Sequence, residues 1–263
     1  MRRAGMVCDH RASCHAPTTM LDILYRDDQF VAIHKPAGLL VHRSNLDRHE
    51  TRFAVQLLRD QLGRRVLPLH RLDKGTSGVL LFAFDAVSAR AVGQQFEAGT
   101  VSKHYLAVVR GWPAESGWID HALSRQFDDY GRRYPVDSPQ RAAAALPAVT
   151  EFHRLATVEL PVAIDRYPAS RYALVSLLPH TGRQHQLRRH MKHIAHPIIG
   201  DATYGKGVHN RYFDQQFGSH RLLLACTQLA FDHPVSGARC VIQAPLEASF
   251  SRVLEACGLV CPS

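Results

Sequence analysis

The stretch His70-Arg71-Leu72-Asp73-Lys74-Gly75-Thr76-Ser77-Gly78-Val79-Leu80-Leu81-Phe82-Ala83-Phe84-Asp85 joins a polar bend, an apolar run and a helix-capping residue. Val79 to Phe84 is too short for a helix and apolar on both faces, as expected of a strand covered from both sides. Asp85 is a good N-cap, and the helix it opens is predicted to end near Gly99. Ahead of the run, two glycines and two hydroxyl residues give the chain a tight backbone path with Asp73 at its centre. An acid in such a bend either bonds the amides that follow it or is displayed for chemistry, and residue type alone allows both.

The flanking sequence alternates between strand and helix signals. Strand-like alternation starts at Met20 with Leu21, Ile23 and Tyr25, and Phe30 to His34 reads as a strand stopped by the Lys35-Pro36-Ala37-Gly38 turn. A helix fits about Arg52 to Leu62 with Gly63 as its C-cap, followed by a strand into Leu69. Tyr105 to Arg110, Val149 to Leu160 and Arg171 to Leu178 read as strands, with a long surface loop near 124 to 147. A helix over Gly182 to Ala195, strands at Leu222 to Phe231 and Cys240 to Ala244, and a helix near Glu247 to Cys257 complete the plan. The predicted class is α+β, or mixed α/β, with a large, mostly antiparallel sheet and flanking helices. Residues 1–19 have no apolar periodicity and read as a disordered extension; 20–263 read as one catalytic domain.

A second polar concentration is His180-Thr181-Gly182-Arg183-Gln184-His185-Gln186-Leu187-Arg188-Arg189-His190, followed by His196-Pro197-Ile198-Ile199-Gly200-Asp201. With Thr181 as cap, 3.6-residue periodicity puts Arg183, Leu187, Met191 and Ile194 on one stripe, so Arg183 needs a buried partner. Arg188, Arg189 and Lys192 then project elsewhere, toward phosphates or solvent. The histidines at 180, 185, 190, 193 and 196 lack the spacing of a helical zinc site, and no HExxH occurs.

The chain has 263 residues, is 46% hydrophobic and carries 32 Lys plus Arg against 23 Asp plus Glu, a net charge of +9. A polyanionic partner fits that balance. Six cysteines show no disulfide framework and no CxxC pair; Cys8, His10, Cys14 and His15 are too cramped for a zinc finger. No window supplies a membrane span and the N-terminus has no apolar signal core, so a cytoplasmic location is expected.

The segments HRLDKGTSG, KPAG, KHYLAVVRG and TGRQHQLRRHMKHIAHPIIGD, in this order apart from the earlier KPAG, resemble the RluA-type pseudouridine synthases, and the resemblance runs from Met20 to about Ala244. It implies that the chain isomerises uridine to pseudouridine in RNA without metal or cofactor; a monomer is the expected state. It further implies that Asp73 is the catalytic carboxylate, Arg183 its paired cation, and Tyr105 the ring beside the target base, with its phenol as the group that removes the C5 proton. Arg71 resembles the arginine that enters the space left by a flipped nucleotide, and Leu187 the apolar residue beside the acid. His70, Thr76, Ser77, Arg188 and Arg189 are the further candidates for substrate contact. MLDILYRDD, LATVELPVAIDRYPASRY, HQLRRH and HNRYF resemble the branch acting on tRNA at uridine 65.

Physical need agrees with the central assignment. A base severed from C1′ and rejoined through C5 must stay captive, a carboxylate can do the work alone, and a neighbouring cation favours its charged form. A uridine in a stem must be flipped out to be reached. Two alternatives stand at this point: the same chemistry on ribosomal RNA or another tRNA site, and a basic RNA-binding protein with no catalysis.

Overall fold

The computed structural model describes residues 20–43, 50–124 and 144–259. The extension at 1–19, with its cramped Cys and His residues, and most of the predicted loop at 124–147 lie outside the described residues. Ten strands are present among those described: β1 (Asp22–Arg26), β2 (Phe30–Lys35), β3 (Leu67–Pro68), β4 (Ser77–Ala83), β5 (Ser102–Arg110), β6 (Ser116–Asp120), β7 (Val149–Leu160), β8 (Ser170–Pro179), β9 (Leu224–Asp232) and β10 (Arg239–Gln243). The helices are α1 (Ala54–Leu62), α2 (Ala86–Ala98), α3 (Gln186–His193), α4 (Gly207–Phe217) and α5 (Ala248–Cys257). All ten strands join one sheet, in the order β1-β2-β4-β9-β5-β8-β7-β6, with β3 beside β4 and β10 beside β9. The pairing is antiparallel except between β4 and β9, so the mixed α/β class with a mostly antiparallel sheet is observed.

Alternation along the strands feeds two apolar layers. On β5, Tyr105, Ala107 and Val109 face the layer shared with Leu58 of α1, Val92 of α2 and Leu187 and Met191 of α3. Val108, between them, faces Phe213 of α4 and Phe250 and Leu254 of α5. β4, with every residue buried, lies in the middle as its apolar run predicts. Asp85 caps α2 by accepting from the amides of Val87 and Ser88 at 2.9 and 2.8 Å, and Gly99 closes it at φ 73°.

A local irregularity sets the geometry at the centre. Opposite β5 the pairing steps from His104↔Gln228 to Tyr105↔Cys226, leaving Thr227 as the extra residue of a β-bulge. The bulge reverses the parity of β9, so Cys226 and Leu224 share a layer with Leu229 and Phe231. On its other edge Cys226 pairs with Gly78. Gly78 has φ +112°, and a Cβ there would lie 2.0 Å from the Cys226 carbonyl oxygen.

Three differences from the sequence reading matter. The helix predicted over 182–195 is α3, Gln186–His193, because buried Gln186 folds the preceding segment into a turn: its Oε1 accepts from the Arg183 amide at 3.0 Å and from the Thr181 hydroxyl at 2.7 Å. His185, at φ 53°, takes the N-cap position in place of Thr181. β6 and α4 have no counterpart in the sequence reading; β6 is a short edge strand, and α4 has no side-chain cap at Lys206.

Gly78→Ala should cost about 3 kcal/mol or more, or prevent folding, because both space and φ are lost. Gly93→Ala, in α2 with open space around it, should be neutral or gain about 0.5–1 kcal/mol. Urea unfolding of the two variants checks this; equal stabilities would contradict the close β4–β9 approach.

Candidate active site

The loop from His70 to Ser77 enters β4 and is tied down from behind. Lys35 has no solvent exposure, and its Nζ donates to the carbonyls of Pro36 (2.8 Å), Leu39 (2.7 Å) and Lys74 (3.3 Å). The Gly38 amide donates to the same Lys74 carbonyl at 2.8 Å. Burial pushes the Lys35 ammonium down to about 7, against the pull of Glu247 and Asp73. At the loop's other end, the Ser77 hydroxyl accepts from Arg221 Nη2 at 2.7 Å. Arg221 in turn pairs with Glu247, which also accepts from the Ala37 amide at 3.2 Å. The KPAG turn, the loop and the start of α5 thus form one polar unit.

In front of the loop, Arg188 spans two carboxylates. Its Nε and Nη2 donate to Asp201 at 2.7 and 2.8 Å, and its Nη1 donates to Asp73 Oδ2 at 3.0 Å. Asp201 is 1% exposed and also accepts from the amides of Thr203 and Tyr204, both at 2.9 Å. Burial alone would raise its pKa, but the Arg188 and backbone hydrogen bonds outweigh that and hold the carboxyl below its ordinary value. Burial likewise works against the Arg188 charge, and Asp201, then Asp73, overcome it and hold the guanidinium above its ordinary value. The side chain of Arg188 also lies over the Tyr204 ring, 5.1 Å from its centroid. His185 adds a further contact, its Nε2 3.8 Å from Asp73 Oδ1 and its Nδ1 3.1 Å from the Tyr204 hydroxyl.

Asp73, His185 and Arg188 border a cleft of about 1070 Å³ between the 70–76 loop, β5 and the 179–189 segment. Tyr105, 8% exposed, lines it and pairs in register with Cys226 of β9. Burial, then Cys226, then Asp73 keep the phenol protonated far above its ordinary range. Burial also pushes the Cys226 thiol up to about 12, against the neighbouring Tyr105 phenol and the charge of Lys103. The arrangement offers a carboxylate locked in direction, a neutral phenol and an apolar wall at Leu187 and Leu224.

The structure brings Asp73, Tyr105, Leu187, Arg71, Thr76 and Arg189 to this cleft. It does not bring Arg183 to Asp73. Arg183 lies on the cleft rim ahead of α3, exposed, with its Nε donating to the Pro147 carbonyl at 3.0 Å. The cation paired with Asp73 is Arg188, which the sequence reading pointed toward phosphates or solvent. Ser77 is turned from the cleft to Arg221. His70 borders the cleft, but its Nε2 accepts from the Leu81 amide at 3.1 Å and its ring stacks on Phe96. Arg189 donates to the Ser124 carbonyl at 2.9 Å. Sequence reasoning missed Lys35, Arg221, Glu247 and Asp201; the signal for Asp201 was an acid after an apolar Pro197-Ile198-Ile199 run, where burial demands a cation.

Arg188→Lys keeps a charge but cannot bridge both carboxylates, and should lower kcat by about a hundredfold. Arg183→Ala should act mainly on KM. Steady-state kinetics on folded variants separates the two, and the reverse pattern would restore Arg183 as the partner. His70 gives a pH signature: burial, then Lys103, push it down to about 3 from 6.5. The unfolded chain therefore binds a proton that the folded ring refuses between these values, and stability falls as pH drops through the window. His70→Gln should flatten that slope in urea unfolding at stepped pH.

A family model described as RNA pseudouridylate synthase matches residues 29–193, a span that holds Asp73, Tyr105 and Arg188. The chain is 46% identical over 236 residues to tRNA pseudouridine synthase C of Vibrio vulnificus, covering 90% of this chain and 95% of that protein. It is 48% identical over 238 residues to the protein of the same name from Haemophilus ducreyi, covering 90% and 96%. Among solved structures, human RNA pseudouridylate synthase domain containing 4 is similar with a TM-score of 0.66 at 25% identity, covering 90% of this chain and 93% of that one. On this family match, these relatives and the motifs around Asp73, the chain belongs to the RluA-type RNA pseudouridylate synthases.

Proposed function

We propose that this enzyme converts uridine to pseudouridine in tRNA, at uridine 65, with Asp73 as the acting carboxylate. The observation that carries the reading is the 3.0 Å hydrogen bond from Arg188 to Asp73 at the cleft, with Arg188 itself anchored on Asp201. tRNA as substrate is supported by the names of the close relatives, and position 65 by the likeness of the motifs around 20–28 and 155–172. On this reading the enzyme works as a cytoplasmic monomer, without metal or cofactor, because carboxylate, guanidinium and phenol suffice for the steps required.

The target nucleotide leaves its helix and enters the cleft, and Arg71, exposed at its edge, is positioned to fill the gap. Asp73 then drives loss of the N1–C1′ bond by adding to C6, attacking C1′ or taking a ribose proton. Each route uses the same locked carboxylate. The detached uracil stays between Tyr105 and the Leu187 wall, turns, and rejoins through C5. The resting phenol is neutral, so Tyr105 can accept the C5 proton only in concert with release of its own hydroxyl proton to solvent at the cleft.

Asp73→Asn should abolish turnover while tRNA binding persists, and Tyr105→Phe should keep binding but slow tritium release from C5-labelled uridine. Mapping pseudouridine on tRNA and ribosomal RNA transcripts tests the substrate. Product made by the Asn variant would remove Asp73 from the chemistry, and product only in ribosomal RNA would move the target.

A further inference from the structure

Trp118 is a costly residue for its position. It lies on β6, a sheet edge, and is 62% exposed, whereas its neighbour Ile119 is buried. Its indole stacks on the ring of His180, with centroids 4.8 Å apart and planes 26° from parallel. His180 follows β8 and lines the cleft together with Thr181, Gly182 and Arg183. The imidazole is held by Glu151, which lies directly across from Trp118: Glu151 Oε2 is 3.3 Å from His180 Nε2, and its other oxygen is 2.9 Å from His153 Nε2. The stacked pair is therefore a fixed, solvent-facing aromatic surface continuous with the cleft wall. The other tryptophan has a structural explanation: Trp112 donates its Nε1 to the Val158 carbonyl at 3.1 Å and is covered by Arg171 at 4.3 Å.

We propose that the Trp118–His180 pair is a stacking platform for a nucleotide of the RNA substrate that flanks the flipped uridine. The inference rests on the functional reading above and adds a contact to it. Aromatic faces hold unstacked bases irrespective of sequence, and a flipped target leaves its neighbours partly unstacked. Charge fits the same occupant. The exposed guanidinium of Arg183 stands three residues along the same rim for a phosphate, and the Glu151 carboxylate is engaged by two imidazoles.

The chain has two tryptophans, so Trp112→Phe leaves Trp118 as the sole indole. Titration of that variant with a tRNA transcript should quench its emission, saturating at the concentration at which filter retention reports binding. Trp118→Ala should lower kcat/KM about tenfold, carried by KM, with Trp118→Phe recovering part of it. The salt dependence of binding should keep its slope, since stacking releases no counterions. Unchanged emission in a Trp112→Phe protein that binds and isomerises tRNA would overturn the platform and leave the functional reading standing. A dimer in sedimentation that Trp118→Ala dissolves would assign the patch to a second copy and overturn it too. A wild-type protein that neither binds nor isomerises tRNA would overturn the functional reading, and the platform with it.

Discussion

The site depends on one buried carboxylate. Asp201 has four donors around it, two from Arg188 and two from the backbone of 203 and 204, and it is closed to water. A charge so placed cannot drift, because any movement would leave it unpaired in a low-dielectric setting at a cost of about 3–5 kcal/mol. Arg188 inherits that rigidity, and its remaining Nη1 projects to Asp73, 115 residues away in the chain. Asp73 is thus aimed through a guanidinium whose own position is set elsewhere, which is the preorganisation that the proposed chemistry would draw on.

The sheet supplies the second half of the arrangement. The bulge at Thr227 turns Cys226 toward the layer that holds Tyr105, its register partner on β5. Behind the acid loop, Lys35 collects three carbonyls and Arg221 joins Ser77 to Glu247. These buried side chains hold backbone, hydroxyl and carboxylate groups of the protein instead of substrate. Lys35 itself belongs to β2, and the partners of the two side chains lie in the turn after β2, in the loop at Lys74, in β4 at Ser77 and at the N-cap of α5, so the loop is a property of the whole central region and not of its own sequence.

Much of this was legible from residues. β7 matches its predicted bounds, β2 and β4 agree within two residues, and Asp85 and Gly99 cap α2 as expected. Asp73 and Tyr105 line one cleft. The error over Arg183 has a single origin: a helix assumed to start at 182 places that residue in phase with Leu187. Buried Gln186 competes for the Arg183 amide and the Thr181 hydroxyl, and so delays the helix by four residues. Gln186 is itself held from β7, its Nε2 donating to the Val149 carbonyl and the Thr150 hydroxyl, both at 3.0 Å, and periodicity cannot register such a long-range contact. Lys35, Arg221 and Glu247 escaped for a related reason, since isolated charged residues read as solvated until tertiary structure encloses them.

The pairing of Cys226 with Gly78 on one edge and Tyr105 on the other works as a ruler. The strand that carries the acid loop and the strand that carries the phenol are held two inter-strand steps apart, about 10 Å. A span fixed by main-chain hydrogen bonds is indifferent to which apolar side chains fill the layers beneath. Core residues can therefore be exchanged over generations without altering the gauge of the catalytic opening, provided that position 78 stays bare.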